Sequence, residues 1–84
     1  MTSAENRFIT ALIQRHMALL GATAALSRAR TIPGLTVAEN GDVLHVTGDP
    51  AIVNAELENA YASFAGKASR IITHALKEKD IDRI

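Results

Sequence analysis

The chain has 84 residues, 48% of them apolar and 21% charged, with a formal net charge of zero at pH 7 and no cysteine. That length allows one domain, residues 1–84, and the composition is globular, not disordered. The charge balance argues against a generic polyanion binder, which carries a basic excess, and the lack of cysteine excludes disulfides, thiol catalysis and thiolate metal sites.

The first predicted element is one long helix over residues 3–30. Thr2 or Ser3 caps it, and Thr2 with Glu5 has capping-box spacing. Two apolar rows recur at helical spacing: Phe8, Leu12, Leu19 and Leu26, and Ile9, Ile13, Met17 and Leu20. A row of small residues lies beside them. Ala4, Ala11, Ala18 and Ala25 repeat every seven positions, flanked by Gly21, Ala22 and Ala29. Arg7, Thr10, Gln14 and Arg28 leave a thin polar strip. A helix this apolar around its girth is buried on more than one side. The stretch "FITALIQRHMALLGATAALS" has the hydropathy of a signal or membrane segment, but Gln14, Arg15 and His16 in its middle oppose a span. Glu5 stands where a signal peptide carries basic residues. The expectation is a soluble, cytoplasmic protein with no membrane span.

Pro33-Gly34 ends the helix in a turn, and residues 35–47 read as a β-hairpin around Asn40-Gly41. A type I′ turn at that dipeptide sets Glu39 against Asp42, Val37 against Leu44, and Leu35 against Val46. By alternation Leu35, Val37, Leu44 and Val46 then share the core face. The other face carries Thr36, Ala38, Val43, His45 and Thr47.

A second helix is predicted over residues 49–79, with Asp49 as N-cap and Pro50 in the first position. Val53, Leu57, Ala60, Phe64, Ala68, Ile71 and Ala75 form its apolar stripe, widened by Tyr61, Ala65, Ile72 and Leu76. Glu56, Asn59, Ser63, Lys67, Arg70, His74 and Lys77 form the polar one. Residues 80–84 are expected to fray.

Chemistry-bearing residues are sparse. His16, His45 and His74 lack the i, i+4 spacing of a zinc helix. They read as a partly buried, a strand-surface and a solvated histidine. Ser3, Ser27, Ser63 and Ser69 lie on helices or caps, none in a nucleophile elbow. "TGDP" (residues 47–50) puts a helix N-terminus after a strand, but Asp49 occupies the place an anion would take. No catalytic residue, cofactor or metal is expected, and the reading is non-enzymatic.

Two features remain. Lys67, Arg70, His74 and Lys77 line one helix face and make a possible anion or nucleic-acid contact. A solubilising face with favourable dipole placement is the preferred explanation, because a nucleic-acid binder carries a net basic domain, and no aromatic residue interleaves them for base stacking. The more distinctive feature is small-xxx-small spacing, which lets helix backbones approach closely. Ala11, Ala18, Gly21, Ala22, Ala25 and Ala29 are the expected contact between copies.

The fold expected is a small α+β domain of order helix–strand–strand–helix (αββα). Two long helices pack with a two-stranded antiparallel sheet, completed by a two-fold homodimer whose hairpin edges are available to join into one four-stranded sheet. The function expected is a protein–protein interaction or assembly module, working as a homo-oligomer or an accessory subunit. The alternative is a nucleic-acid- or anion-binding regulator using the basic stripe. Peripheral membrane binding is weaker, because helix one lacks a lysine-rich polar face.

Overall fold

Both helical limbs break at a glycine. In the computed structural model, which describes residues 4–82, the predicted first helix is two: α1 (Ala4–Leu20) and α2 (Ala22–Ala29). The predicted second helix is α3 (Pro50–Ala65) and α4 (Lys67–Asp82). Between the limbs lies the hairpin β1 (Leu35–Val37) and β2 (Val43–Val46), so the order is α+β, helix–hairpin–helix, as predicted. Gly21 (φ 92°, ψ 151°) and Gly66 (φ 61°, ψ −128°) stand at the two joints. Positive φ is open to glycine and strained for residues with a Cβ. An unbroken helix over residues 3–30 would be about 42 Å long at roughly 1.5 Å per residue, whereas the longest dimension of the folded chain is 31 Å. Breaking the limbs lets four shorter helices share one core.

That core is built by Ile9, Leu12 and Ile13 of α1, Ala25, Leu26 and Ala29 of α2, Ile32, Leu35 and Val37 leading into and along β1, and Val53, Leu57 and Tyr61 of α3. α1 packs on α2, α3 and α4, and β2 leans on α1. Each fully buried Leu or Ile contributes about 1.5–3 kcal/mol. The capped start of α3 is as predicted: Asp49 accepts a hydrogen bond from the Ala51 N–H at 2.9 Å, with Pro50 following. α4 runs to Asp82, three residues past the predicted end, so Asp80, Ile81 and Asp82 of the tail expected to fray are helical. The predicted caps Thr2 and Ser3 lie outside the described residues, as do Arg83 and Ile84.

The hairpin differs from its prediction in turn and register. The Gly41 N–H donates to the Ala38 carbonyl at 3.0 Å and the Ala38 N–H donates to the Asp42 carbonyl at 2.9 Å. Among the described residues only glycines have positive φ, so Asn40 is not left-handed and the turn is not type I′. It is the three-residue loop Glu39-Asn40-Gly41, a type I turn closed by a left-handed glycine. Val37 therefore pairs with Val43 and not with Leu44; a bulge then absorbs Leu44, and Leu35 pairs with Val46 as predicted. Leu44, placed on the core face by the sequence, is 63% exposed, and Val43 packs on the core in its place.

The polar strip of α1 holds this turn. The Val43 N–H donates to Thr10 Oγ1 at 3.0 Å. Gln14 Nε2 donates to the Asn40 carbonyl at 3.2 Å and to Asp42 Oδ1 at 3.3 Å. Asn40 and Asp42 bond one another twice, side chain to side chain and Asp42 N–H to Asn40 Oδ1, both at 3.0 Å. A two-stranded hairpin is marginal alone, and this one is pinned to α1 at its tip.

Candidate functional site

Three side chains from three helices meet inside the molecule. His16 of α1 and Tyr61 of α3 are both 0% exposed and Ser69 of α4 is 1% exposed. The His16 and Tyr61 rings stack at 3.8 Å between centroids and 8° between planes. His16 Nδ1 lies 2.7 Å from the Leu12 carbonyl one turn back, and its Nε2 lies 2.7 Å from Ser69 Oγ. A carbonyl only accepts, so Nδ1 carries the proton. Nε2 then accepts from the Ser69 hydroxyl. The Tyr61 hydroxyl donates to the Ala25 carbonyl of α2 at 2.9 Å. One stacked pair thus ties all four helices.

Burial decides the electrostatics. Desolvation lowers the His16 pKa below 6.5, opposed in part by the Leu12 hydrogen bond, which favours the charged ring. Burial likewise pushes the Tyr61 phenol up. Both groups stay neutral at neutral pH. A serine hydroxyl on a histidine whose other nitrogen is oriented by an acceptor has the bond pattern of an activated nucleophile. Here both partners are closed to solvent, and the pair acts as a cross-link between α1 and α4.

The second arrangement is a groove of about 310 Å³ between α3 and α4, lined by Glu58 and Asn59 on one side and Arg70, Thr73, His74 and Lys77 on the other. It gathers three of the four predicted anion contacts. Lys67 is exposed on the first turn of α4 and does not line it. The groove is not uniformly basic. Lys77 Nζ pairs with Glu58 Oε1 at 3.2 Å, and the other Glu58 oxygen accepts from Asn54 Nδ2 at 2.8 Å.

The small-residue row divides. Ala25 and Ala29 are fully buried in their own chain's core. Ala11 is half-buried, and Ala18, Gly21 and Ala22 are exposed. Beyond Gly66 the second stripe also turns outward, leaving Ile71 59% exposed, with Phe64 just before the joint 44% exposed under the Arg28 guanidinium at 4.2 Å.

Ser69 is the residue that sequence reasoning passes over. It stands 53 positions from His16, and no local spacing links them. The available signal was His16 itself, a polar ring set between Leu12, Ile13, Leu19 and Leu20. Among the described residues no group of three or more His, Asp or Glu side chains is placed to hold a metal ion. Among the described residues no helix is long and apolar enough to cross a membrane. No protein-family model, no curated protein and no solved structure matches this chain.

Proposed function

We propose that this chain is a non-enzymatic interaction module that self-associates through the outer flank of α1 and α4. The observation that carries the reading is the pair Leu19, 50% exposed on α1, and Ile71, 59% exposed on α4. The two helices pack antiparallel. His16 near the end of α1 meets Ser69 at the start of α4, and Glu5 and Phe8 at the start of α1 share a cavity wall with Lys77. Leu19 and Ile71 therefore lie toward the same end of the pair, beside the exposed Ala18 and Gly21. Large apolar side chains left exposed at one end of a helix pair suit an interaction site, and small neighbours let a second helix approach. A helical contact fits better than the shared four-stranded sheet, because the Val43 N–H on β2 already donates to Thr10. Sedimentation at micromolar concentration is expected to show a dimer. Leu19→Glu with Ile71→Glu is expected to give a monomer with unchanged far-UV dichroism. A monomeric parent chain at those concentrations rejects the proposal.

A second reading has its own support, the gathering of Arg70, His74 and Lys77 around one groove. The Glu58–Lys77 pair and the zero net charge weigh against it. It predicts salt-dependent retention on heparin or duplex DNA that Arg70→Glu abolishes. No retention at low salt removes it.

A further inference from the structure

α4 is held differently from the other helices. The residues of the buried apolar core come from α1, α2, α3, β1 and the segment before it, and the described side chains of α4 supply none of them. Among its described side chains only Ser69 is fully buried, with Ile72 and Leu76 packed part-buried against the core. Its joint to α3 is Gly66, at φ 61° and ψ −128°. Its second tie is the Lys77–Glu58 pair, whose lysine is half exposed. Exposed pairs of this kind hold weakly.

We infer that α4 is a hinged lid, turning on Gly66 and latched by the buried Ser69–His16 hydrogen bond, and that protonation of His16 releases it. In the closed state Nδ1–H is bonded to Leu12 and Nε2 is the sole acceptor for the Ser69 hydroxyl. A proton on Nε2 reverses that bond, so that the Ser69 oxygen must accept and its own proton loses its partner, and it places a charge in a site with no exposure. Nothing that faces the ring compensates. From α1 there is the Leu12 carbonyl, with Arg15 exposed alongside. From α3 there is the neutral Tyr61, while Glu58 is engaged by Lys77 and Asn54. From α4 there is Ser69, with Lys67, Arg70, His74 and Lys77 exposed. From α2 there is the Ala25 carbonyl, taken by Tyr61, and Arg28 lies on Phe64. The hairpin packs on α1 through Thr10 and Gln14, with Glu39, Asp42 and His45 exposed. Burial has the largest influence on the titration, opposed by the Leu12 bond. Swinging α4 away hydrates Nε2 and leaves the core of α1, α2, α3 and the hairpin in place.

The direction with pH follows from linkage. The closed-state pKa is lowered, so the latch is fully effective above the ordinary histidine value of 6.5. It weakens as pH falls from there toward the closed-state value. Over that interval the opening constant rises about tenfold per pH unit.

Hydrogen exchange of the full chain between pH 7.5 and 5.5, corrected for intrinsic rates, tests the proposal. Near-ultraviolet dichroism of Tyr61, the one tyrosine in a chain without tryptophan, follows the same transition. The expected result is a loss of protection in α4 that grows as pH falls below 6.5 and reaches at most about tenfold at pH 5.5, in parallel with the Tyr61 signal, while the buried amides of α1 and α3 stay protected. His16→Gln is expected to abolish the pH response. Ser69→Ala is expected to raise exchange in α4 about fivefold already at pH 7.5. Constant α4 protection, an equal loss in every helix, or an unchanged response in His16→Gln overturns the inference. The series on the parent chain decides the first two, whether or not the variants fold.

Discussion

Tyr61→Ala is expected to lower stability by about 3–5 kcal/mol, the range for deleting a buried aromatic ring. A domain of this size has about 5–15 kcal/mol in total, so the variant stands near its folding threshold. The loss is large because one side chain serves three contacts. Its ring fills the core at 0% exposure, stacks on His16 at 3.8 Å, and carries a hydroxyl bonded to α2 at 2.9 Å. Tyr61→Phe separates these terms. It keeps the ring and the stack and removes only the bond to Ala25, an expected cost of about 1 kcal/mol. Urea midpoints for the two variants check both figures. A Tyr61→Ala loss no greater than that of Tyr61→Phe would show that the ring is not the keystone argued here.

How far the sequence reveals this arrangement depends on the range of the interactions involved. Local signals read well. Asp49-Pro50 starts a helix, Pro33-Gly34 ends one, and Leu35 pairs with Val46. The apolar rows of α1 put Ile9, Leu12 and Ile13 in the core, where they are. Interactions decided by tertiary packing did not read. A glycine inside a helical pattern costs only about 1 kcal/mol relative to alanine, so Gly21 and Gly66 were read through. The seven-residue repeat Ala4, Ala11, Ala18, Ala25 presumed a straight helix. The break at Gly21 turns Ala25 inward while Ala18 stays outside. Val43 replaces Leu44 in the core because Thr10 and Gln14, in the thin polar strip of the first helix, fix the loop as three residues. His16 was read as partly buried, and its partner Ser69 is visible only once α4 folds back on α3.

Gly34→Ala is expected to cost about 2–4 kcal/mol, and the reason lies in the backbone of the opposite strand. At φ +83° an alanine here carries a penalty of about 1–2 kcal/mol before any contact is counted. Its Cβ would stand 2.7 Å from the Thr47 carbonyl oxygen. That neighbour is main chain and cannot move aside as a side-chain tip would. The Gly34 carbonyl also accepts the Thr47 N–H at 2.7 Å, so relieving the clash breaks the bond that closes the open end of the hairpin, a further loss of about 1 kcal/mol. Gly48→Ala is the matched control. It shares the positive φ, at +89°, but its Cβ would meet nothing within 4 Å. It is expected to show the conformational penalty alone. The difference between the two urea midpoints therefore measures the close approach itself, and equal losses would mean that β1 and β2 are not drawn this tightly together at Gly34. Hydrogen exchange locates the effect. In Gly34→Ala the amides of Thr36, His45 and Thr47, which face the opposite strand, are expected to lose protection ahead of those of α1, because the hairpin keeps its tip anchored on Thr10 and Gln14 while its open end comes apart.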